Sequence, residues 1–115
     1  MPLYRWREIP KENLTPQLSR QLLHTGTMTI ARFELRKGAS VPEHRHPNEQ
    51  VTTIESGRMR FVLEGEEIIV SAGESLHIPA NALHSAEALE DSIAVDVFSP
   101  PRADWIRGDD AYLRR

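Results

Sequence analysis

The sequence predicts an all-β fold built as a sandwich or a barrel, and three observations support this class. Short segments rich in β-branched and aromatic residues recur along the chain, and turn-forming residues separate them at intervals of roughly 8–12 residues. Glycine and proline are frequent, with six and eight residues respectively. Between residues 25 and 99, no segment keeps a helical hydrophobic period long enough to compete with strands.

In chain order, we expect six strands, with one turn before the first strand and five between the strands. The strands are predicted at residues 27–35, 51–54, 59–63, 68–70, 76–78 and 93–98. The turns are predicted at residues 25–26, 37–38, 56–57, 64–65, 72–73 and 79–81. Helix is expected only outside this region. One turn is predicted near residues 15–17, where a proline suits the first helical position, and another around residues 102–107.

The composition fits one domain and excludes several classes of protein. A chain of 115 residues, 39% hydrophobic and 27% charged, can bury one core, so we expect a single domain over residues 1–115. Without cysteine it has no disulfides and no thiolates, and a metal would need nitrogen and oxygen ligands. A net charge of −3 argues against nucleic-acid and membrane binding. Because neither a signal peptide nor a membrane span is recognisable, we expect a cytoplasmic protein.

The last predicted strand carries a carboxylate in an unusual position. Two-residue alternation places Ile93, Val95 and Val97 on one face, which we interpret as the core face, and Asp96 with Phe98 on the other. Aspartate is uncommon in the middle of a strand, and a buried one needs a partner. The carboxylate is therefore either tied to an arginine or to backbone amides, or it belongs to a site beside the aromatic ring.

Three of the five histidines suit a metal site. His44 and His46 are separated by one residue, so on a strand both would project from the same face, about 6–7 Å apart. His84 follows a later proline-containing turn and can supply a third nitrogen from a facing strand. A His-x-His pair alone is also common at solvated edges. We expect His24 on the surface and His77 near the pocket without metal contact.

The spacing of the glycines, prolines and histidines supports the metal interpretation. The first motif is Gly38, five residues, His44-Arg45-His46, three residues, Gln50, six residues, Gly57. The second motif is Gly73, five residues, Pro79-Ala80-Asn81, two residues, His84. This pair of motifs resembles the two motifs of cupins. The resemblance implies a single-domain cupin β-barrel (a double-stranded β-helix or jelly roll), with its core over about residues 26–99 and short N- and C-terminal extensions.

Three positions depart from the usual cupin pattern. Gln50 stands where cupins usually have glutamate, Asn81 where they have glycine, and Ala88 where they have asparagine. Asn81 is a mild change, because asparagine adopts left-handed backbone more readily than most residues. Gln50 can bind a metal through its amide oxygen but adds no negative charge. Glu49 is the alternative ligand, and we prefer Gln50 because Glu49 breaks the spacing to Gly57.

The last predicted strand and the residues after it indicate a more specific resemblance within the cupins. Residues 96–105, together with residues 44–50, are similar to the KdgF-type pectin-degradation cupins, which convert 4,5-unsaturated uronates from pectin and alginate breakdown to the linear keto form. The similarity extends from about Gly26 to the end of the tail, and a glutamine among the metal ligands is part of it. It implies one divalent transition metal, zinc, nickel, manganese or iron, held by His44, His46, Gln50 and His84.

The same resemblance assigns roles to three residues near the C-terminus. It implies that Asp96 is the acid/base carboxylate and that Phe98 forms the wall against the sugar ring. It implies that Arg102 is a catalytic and substrate-binding residue that holds the uronate carboxylate, so the expected partner is a small-molecule sugar acid. A solvated position or a salt bridge to Asp104 is the alternative for Arg102.

Other functions would use the same histidines. A cupin dioxygenase with iron(II) or nickel needs the three histidines but no acid/base carboxylate at Asp96. A non-catalytic cupin would hold a sugar or small acid on its metal without turnover. A metal-free structural barrel would leave the convergence of three histidines unexplained.

We also expect a homodimer, the commonest closed assembly. The face formed by Ile93, Val95 and Val97 needs a second sheet or a partner to cover it. The hydrophobic residues that can reach a second subunit lie near the chain ends: Leu3, Tyr4, Trp6, Trp105 and Ile106.

Overall fold

Ten strands and three short helical segments form residues 3–115, the part of the chain that the computed structural model describes. The strands are β1 Glu12–Thr15, β2 Leu18–His24, β3 Thr29–Leu35, β4 Ser40–His44, β5 Glu49–Ser56, β6 Arg58–Leu63, β7 Glu66–Ser71, β8 Ser75–Ile78, β9 His84–Ala88 and β10 Ser92–Ser99. The helical segments are 3-10 helices at Trp6–Glu8 and Ala111–Arg114 and the α-helix α1 at Ala103–Ile106. None of these three segments has the length and apolarity needed to cross a membrane.

The strands form two antiparallel sheets that enclose one hydrophobic core. The larger sheet has the order β1-β2-β3-β10-β5-β8, and the smaller has the order β4-β9-β6-β7. Buried side chains from both sheets belong to the same cluster, for example Phe33 and Ile54 from the larger sheet and Met59 and Phe61 from the smaller. Two sheets closed around one core give the jelly-roll barrel that the sequence predicts.

The alternation on β10 runs opposite to our prediction. Ala94, Asp96 and Phe98 are buried inside the barrel, whereas Val95 is only partly buried and Val97 is exposed. The assignment of Ile93, Val95 and Val97 to the core face is therefore wrong. Hydrophobicity alone misled the prediction, because the polar carboxylate lines an internal cavity and the aliphatic side chains point away from it.

The six predicted strands all form, and four others were missed. β1, β2, β4 and β9 carry many polar residues and lack a clean hydrophobic alternation. On β2, Arg20 and Gln21 are buried with specific partners: Gln21 Nε2 donates to the carbonyls of Trp6 and Ile9 at 2.6 and 2.8 Å. The helical turn expected near residues 15–17 is wrong, because Thr15 pairs with Leu18 in a hairpin between β1 and β2. The helix expected around residues 102–107 is confirmed by α1.

The backbone geometry of two turns explains which residues occupy them. Gly57 joins β5 to β6 with a φ of +85°, and a Cβ there would collide with the Asp91 carbonyl and the Ser92 hydroxyl. Only glycine fits this position without a shift of the backbone. Asn81 has a φ of +64°, so the left-handed backbone expected at this departure from the cupin pattern is confirmed.

The C-terminal segment, residues 101–115, packs against the barrel interior. It follows the cis bond between Ser99 and Pro100. Trp105 is buried and packs edge-to-face against Phe98 and Phe33, with ring centroids 5.1 and 6.1 Å away. The expectation that Trp105 reaches a second subunit is therefore wrong, because its ring completes the core.

Candidate metal and substrate site

The three predicted histidines come together at one place in the barrel. His44 ends β4, His46 lies in the loop that follows, and His84 begins β9 directly opposite His44 in the antiparallel register. Nitrogen atoms of the three rings lie within 4.8 Å of one another. The ring centroids of His44 and His46 are 5.5 Å apart, slightly less than the strand spacing predicts, because His46 already lies beyond the end of the strand.

A backbone carbonyl fixes each imidazole. Nδ1 of His44, His46 and His84 lies 2.8, 3.0 and 2.8 Å from the carbonyls of Pro42, Asn48 and Ala82. Because a carbonyl only accepts hydrogen bonds, Nδ1 carries the hydrogen and Nε2 presents a lone pair. Metal-binding histidines are typically oriented by a hydrogen bond of this kind.

Burial keeps these histidines neutral. It lowers the pKa of His44 and of His46 from 6.5 to about 4, and it lowers the pKa of His84 as well. The positive charge of Arg102 acts in the same direction on all three pKa values. The rings therefore hold their metal-binding lone pairs at neutral pH.

The Gln50 amide adds an oxygen to the histidine cluster. Gln50 Nε2 donates to Thr52 Oγ1 at 2.8 Å, which turns Oε1 toward Nε2 of His46 at 3.0 Å. With His46 neutral, these two atoms are both acceptors, and a cation between or beside them would relieve their repulsion. The donor set of three imidazoles and one amide oxygen fits a divalent transition metal.

The alternative ligand Glu49 lies on the opposite face of β5. Its Oε2 is 2.7 Å from Nε2 of His77, and both side chains are more than half exposed. Gln50 is therefore at the histidine cluster and Glu49 is not. The prediction that His77 lies near the pocket is wrong, because its side chain points to the outside of the sheet. His24 is exposed, as expected.

A cavity of about 50 Å³ extends from the histidines into the barrel. Its polar lining includes His44, His84, Gln50, Asp96 and Arg102. The sheet register explains this convergence, because β10 pairs with β5 so that Asp96 lies opposite Thr52, and Phe98 opposite Gln50. Paired residues share a face of the sheet, so metal-ligand candidates and carboxylate project into the same space.

Asp96 is the most perturbed carboxyl group in the described part of the chain. It is 8% exposed, and its Oδ1 has no hydrogen-bond partner within residues 3–115. Burial raises its pKa from 3.8 to about 7, against the opposing effects of the Thr52 hydrogen bond and the Arg102 charge. A carboxyl group with a pKa near neutrality can both accept and donate a proton, as acid/base catalysis requires.

Arg102 borders the cavity and also makes the salt bridge to Asp104 that is the alternative to a substrate-binding role. Its Nε and Nη2 donate to the Asp104 carboxylate at 3.0 and 2.8 Å. The guanidinium lies over the rings of Trp105 and Phe98, with 3.9 and 4.8 Å between its central carbon and the ring centroids. With a side chain 1% exposed, Arg102 is a fixed positive charge in the cavity wall. Phe98 contributes an apolar surface beside His46, at 5.6 Å between ring centroids.

Sequence reasoning missed three residues of this site. Thr52 orients the Gln50 amide. This contact could have been predicted, because residues two positions apart on a strand share a face. Asn48 Nδ2 donates to the carbonyls of Pro100 and Pro101 at 2.6 and 3.1 Å, so it connects the histidine loop to the C-terminal segment. Tyr112 packs against His44, with ring centroids 4.9 Å apart. No local pattern indicated the contacts of Asn48 and Tyr112, because their partners are distant in sequence.

Two antiparallel sheets around a histidine-lined cavity are the architecture of cupins. The sequence matches the cupin domain family over residues 31–99, so the chain belongs to the cupin family. The pectin degradation protein KdgF of Dickeya dadantii (strain 3937) is 29% identical over 102 residues, which are 86% of this chain and 93% of that protein.

Two solved structures show the same similarity in three dimensions. KdgF from Halomonas sp. superposes with a TM-score of 0.85 at 29% identity, over 91% of this chain and 98% of that one. An RmlC-like cupin from Shewanella frigidimarina NCIMB 400 superposes with a TM-score of 0.83 at 26% identity, over 89% of this chain and 93% of that one. The resemblance to KdgF-type cupins predicted from residues 44–50 and 96–105 is confirmed.

Proposed function

We propose that this cupin converts 4,5-unsaturated uronate monosaccharides from pectin or alginate breakdown to their linear keto form. The observation that carries the proposal is the position of Asp96, a buried carboxyl group with a free Oδ1 in the same cavity as the histidine cluster. The similarity to two KdgF proteins, one of which is named for pectin degradation, supports the substrate class.

The reaction is an isomerisation, so no oxidant or reductant is needed. The anomeric hydroxyl loses its proton, the bond between C1 and the ring oxygen breaks, and C1 becomes an aldehyde. The ring oxygen takes the bonding electrons and remains on C5 as an enolate oxygen. Addition of a proton at C4 then converts C5 to a ketone. Two proton transfers and one bond cleavage account for all atoms and electrons.

Asp96 suits both proton transfers. When ionised, its carboxylate accepts the anomeric proton, and the neutral carboxyl group then returns a proton to C4. A pKa of about 7 keeps both forms accessible near neutral pH. Phe98 places an apolar surface beside the sugar ring and excludes water from it.

His44, His46, Gln50 and His84 would hold the divalent metal, which supplies a Lewis acid for substrate oxygens. Arg102 then holds the uronate carboxylate. Nε and Nη2 are committed to Asp104 and Tyr112, and Nη1 donates to none of residues 3–115, so this nitrogen is available to an anion. A rigid guanidinium with one free nitrogen positions the substrate without the entropy cost of ordering a flexible side chain.

The test is the ultraviolet absorbance of the unsaturated uronate, produced by a pectate or alginate lyase. We expect the metal-loaded protein to accelerate loss of this chromophore, and His46→Ala to abolish the acceleration together with bound metal. Asp96→Asn should keep the metal and lose about 100-fold or more in rate, the usual contribution of an acid/base group.

Glu49→Gln is the matched control for these variants, because it alters the exposed neighbour of Gln50. We expect it to retain the wild-type rate. Unchanged chromophore decay with confirmed bound metal would contradict the proposal. Oxygen consumption that persists in Asp96→Asn would instead indicate a dioxygenase.

We also propose that the protein is a homodimer through the outer face of the larger sheet. The register places Leu23, Ile30, Val97 and Val51 side by side across four strands. Val51 and Val97 are 40% and 37% exposed, which leaves apolar surface for a second copy to cover. Sedimentation that finds only a 13.1 kDa species would contradict the dimer.

A further inference from the structure

Tyr112, in the C-terminal 3-10 helix Ala111–Arg114, lines the same cavity as His44, Asp96 and Arg102. Its ring packs on that of His44 at an interplanar angle of 39°. The chemistry described above gives this tyrosine no role, although its hydroxyl lies at the boundary between the histidine cluster and the guanidinium.

The hydrogen bonds of the Tyr112 hydroxyl leave its own hydrogen unused. Arg102 Nη2 donates to the phenol oxygen at 2.8 Å, and Trp105 Nε1 donates to it at 3.2 Å. Guanidinium and indole nitrogens only donate, so the phenol oxygen is the acceptor in both contacts. No acceptor in residues 3–115 receives the hydroxyl hydrogen, which is therefore available to a molecule in the cavity.

The segment that carries Tyr112 is firmly held on both sides. Asp110 accepts from Arg20 Nη2 at 2.7 Å and from Arg114 Nε at 3.2 Å, and Leu113, which follows the tyrosine, is buried. The hydroxyl is thus fixed before any ligand binds. A fixed donor stabilises developing negative charge without reorganising during the reaction.

We propose that Tyr112 is a further substrate-contacting residue, which donates its hydroxyl hydrogen to the ring oxygen of the sugar acid. This inference rests on the proposed function. Arg102 Nη2 donates to the Tyr112 hydroxyl. If the same guanidinium holds the uronate carboxylate, the hydroxyl lies beside that carboxylate. The ring oxygen is attached to the carbon next to that carboxylate, and it gains negative charge as its bond to C1 breaks. The hydrogen bond from Tyr112 strengthens as this charge develops.

The experiment compares the wild type with Tyr112→Phe and with the control Tyr4→Phe, which alters the other tyrosine of the chain, an exposed one. The Tyr112→Phe substitution retains the ring that packs on His44, and Arg102 keeps both bonds to Asp104. We expect a kcat about 10- to 100-fold lower, the loss typical of one hydrogen bond to a charged oxygen, and a KM about 2- to 10-fold higher, because the bond is already made to the bound sugar. Metal content should match that of the wild type, and the melting temperature should fall by several degrees, because buried Trp105 Nε1 loses its acceptor. Tyr4→Phe should match the wild type in every assay.

A second measurement separates this inference from the proposed function. Calorimetric titration of metal-loaded protein with D-galacturonate, a saturated uronate that has no chromophore to lose, should give weaker binding to Tyr112→Phe than to the other two proteins. If the wild type does not turn over the unsaturated sugar but shows this difference, the proposed function fails and the role of Tyr112 stands. If kcat is unchanged by the substitution, if galacturonate binding is equal or absent in all three proteins, or if metal is lost together with activity, the inference is overturned.

Discussion

Replacing Asp96 by asparagine is expected to stabilise the metal-free protein increasingly as the pH rises. Asp96 is buried with one oxygen unsatisfied, and burial raises its pKa from 3.8 to about 7. Between these two values the folded protein holds a proton that the unfolded chain has already released. The contribution of Asp96 to stability therefore falls as the pH rises from about 4 through 7, and it is lowest above 7.

The size of this effect follows from the two pKa values. Each pH unit between them costs about 1.4 kcal/mol, so ionisation of Asp96 removes about 2 kcal/mol of stability between pH 5.5 and pH 8. Asparagine cannot ionise, and the cost of burying its amide is the same at both pH values. The difference between the variant and the wild type should therefore grow in favour of the variant by about 2 kcal/mol over this interval.

Urea unfolding followed by tryptophan fluorescence measures this difference after the metal has been removed with a chelator. The matched control is Asp109→Asn, which alters an exposed carboxylate of the C-terminal segment. A free-energy difference between Asp96→Asn and the wild type that is the same at both pH values would refute the reasoning. Restoring the metal should shrink the pH dependence, because a nearby cation favours the ionised carboxylate.

Three further predictions concern the stability of the fold. His44 and His46 should each lower the free energy of unfolding of the metal-free protein by about 2 kcal/mol between pH 8 and pH 5. Burial lowers the pKa of both to about 4, whereas the unfolded chain protonates near 6.5. A urea midpoint that does not fall on acidification would contradict this. Gly57→Ala should cost about 2 kcal/mol or more in chemical unfolding, since the added carbon collides with backbone at a positive φ; Gly65→Ala, with open space around it, should cost less. Asp110→Ala should cost about 3 kcal/mol, because it leaves Arg20 buried without its nearest carboxylate, and an unchanged melting temperature would show that the ion pair contributes nothing.

The sequence was sufficient to predict the barrel and its histidine cluster, because both depend on spacing. Segments rich in β-branched and aromatic residues, separated by turn-forming residues, predicted six strands, and the spacing of the two cupin motifs predicted that His44, His46 and His84 lie together. Gln50 also lies where the motif places it. The cytoplasmic location, the single-domain organisation and the homodimer stay predictions.

Other features could not be predicted from local patterns. The buried face of β10 was misassigned, because hydrophobicity cannot show that a cavity, rather than packed side chains, faces Asp96. Strand β2 was missed because its buried Arg20 is satisfied by Asp110, which lies 90 residues further along the chain. Contacts of this kind depend on the closed fold, and a single sequence gives no signal of which distant residue will be the partner.

The path of the C-terminal segment has a consequence for how such proteins can diverge. The candidate metal ligands lie on β4, the loop after it, β5 and β9, whereas the arginine, the tryptophan and the tyrosine of the cavity wall all lie within residues 102–112. The candidate metal ligands and the cationic part of the cavity wall are thus encoded in separate stretches of the chain. Exchanging the last fourteen residues, 102–115, between related barrels would change which anion the cavity accepts while every metal ligand stays in place.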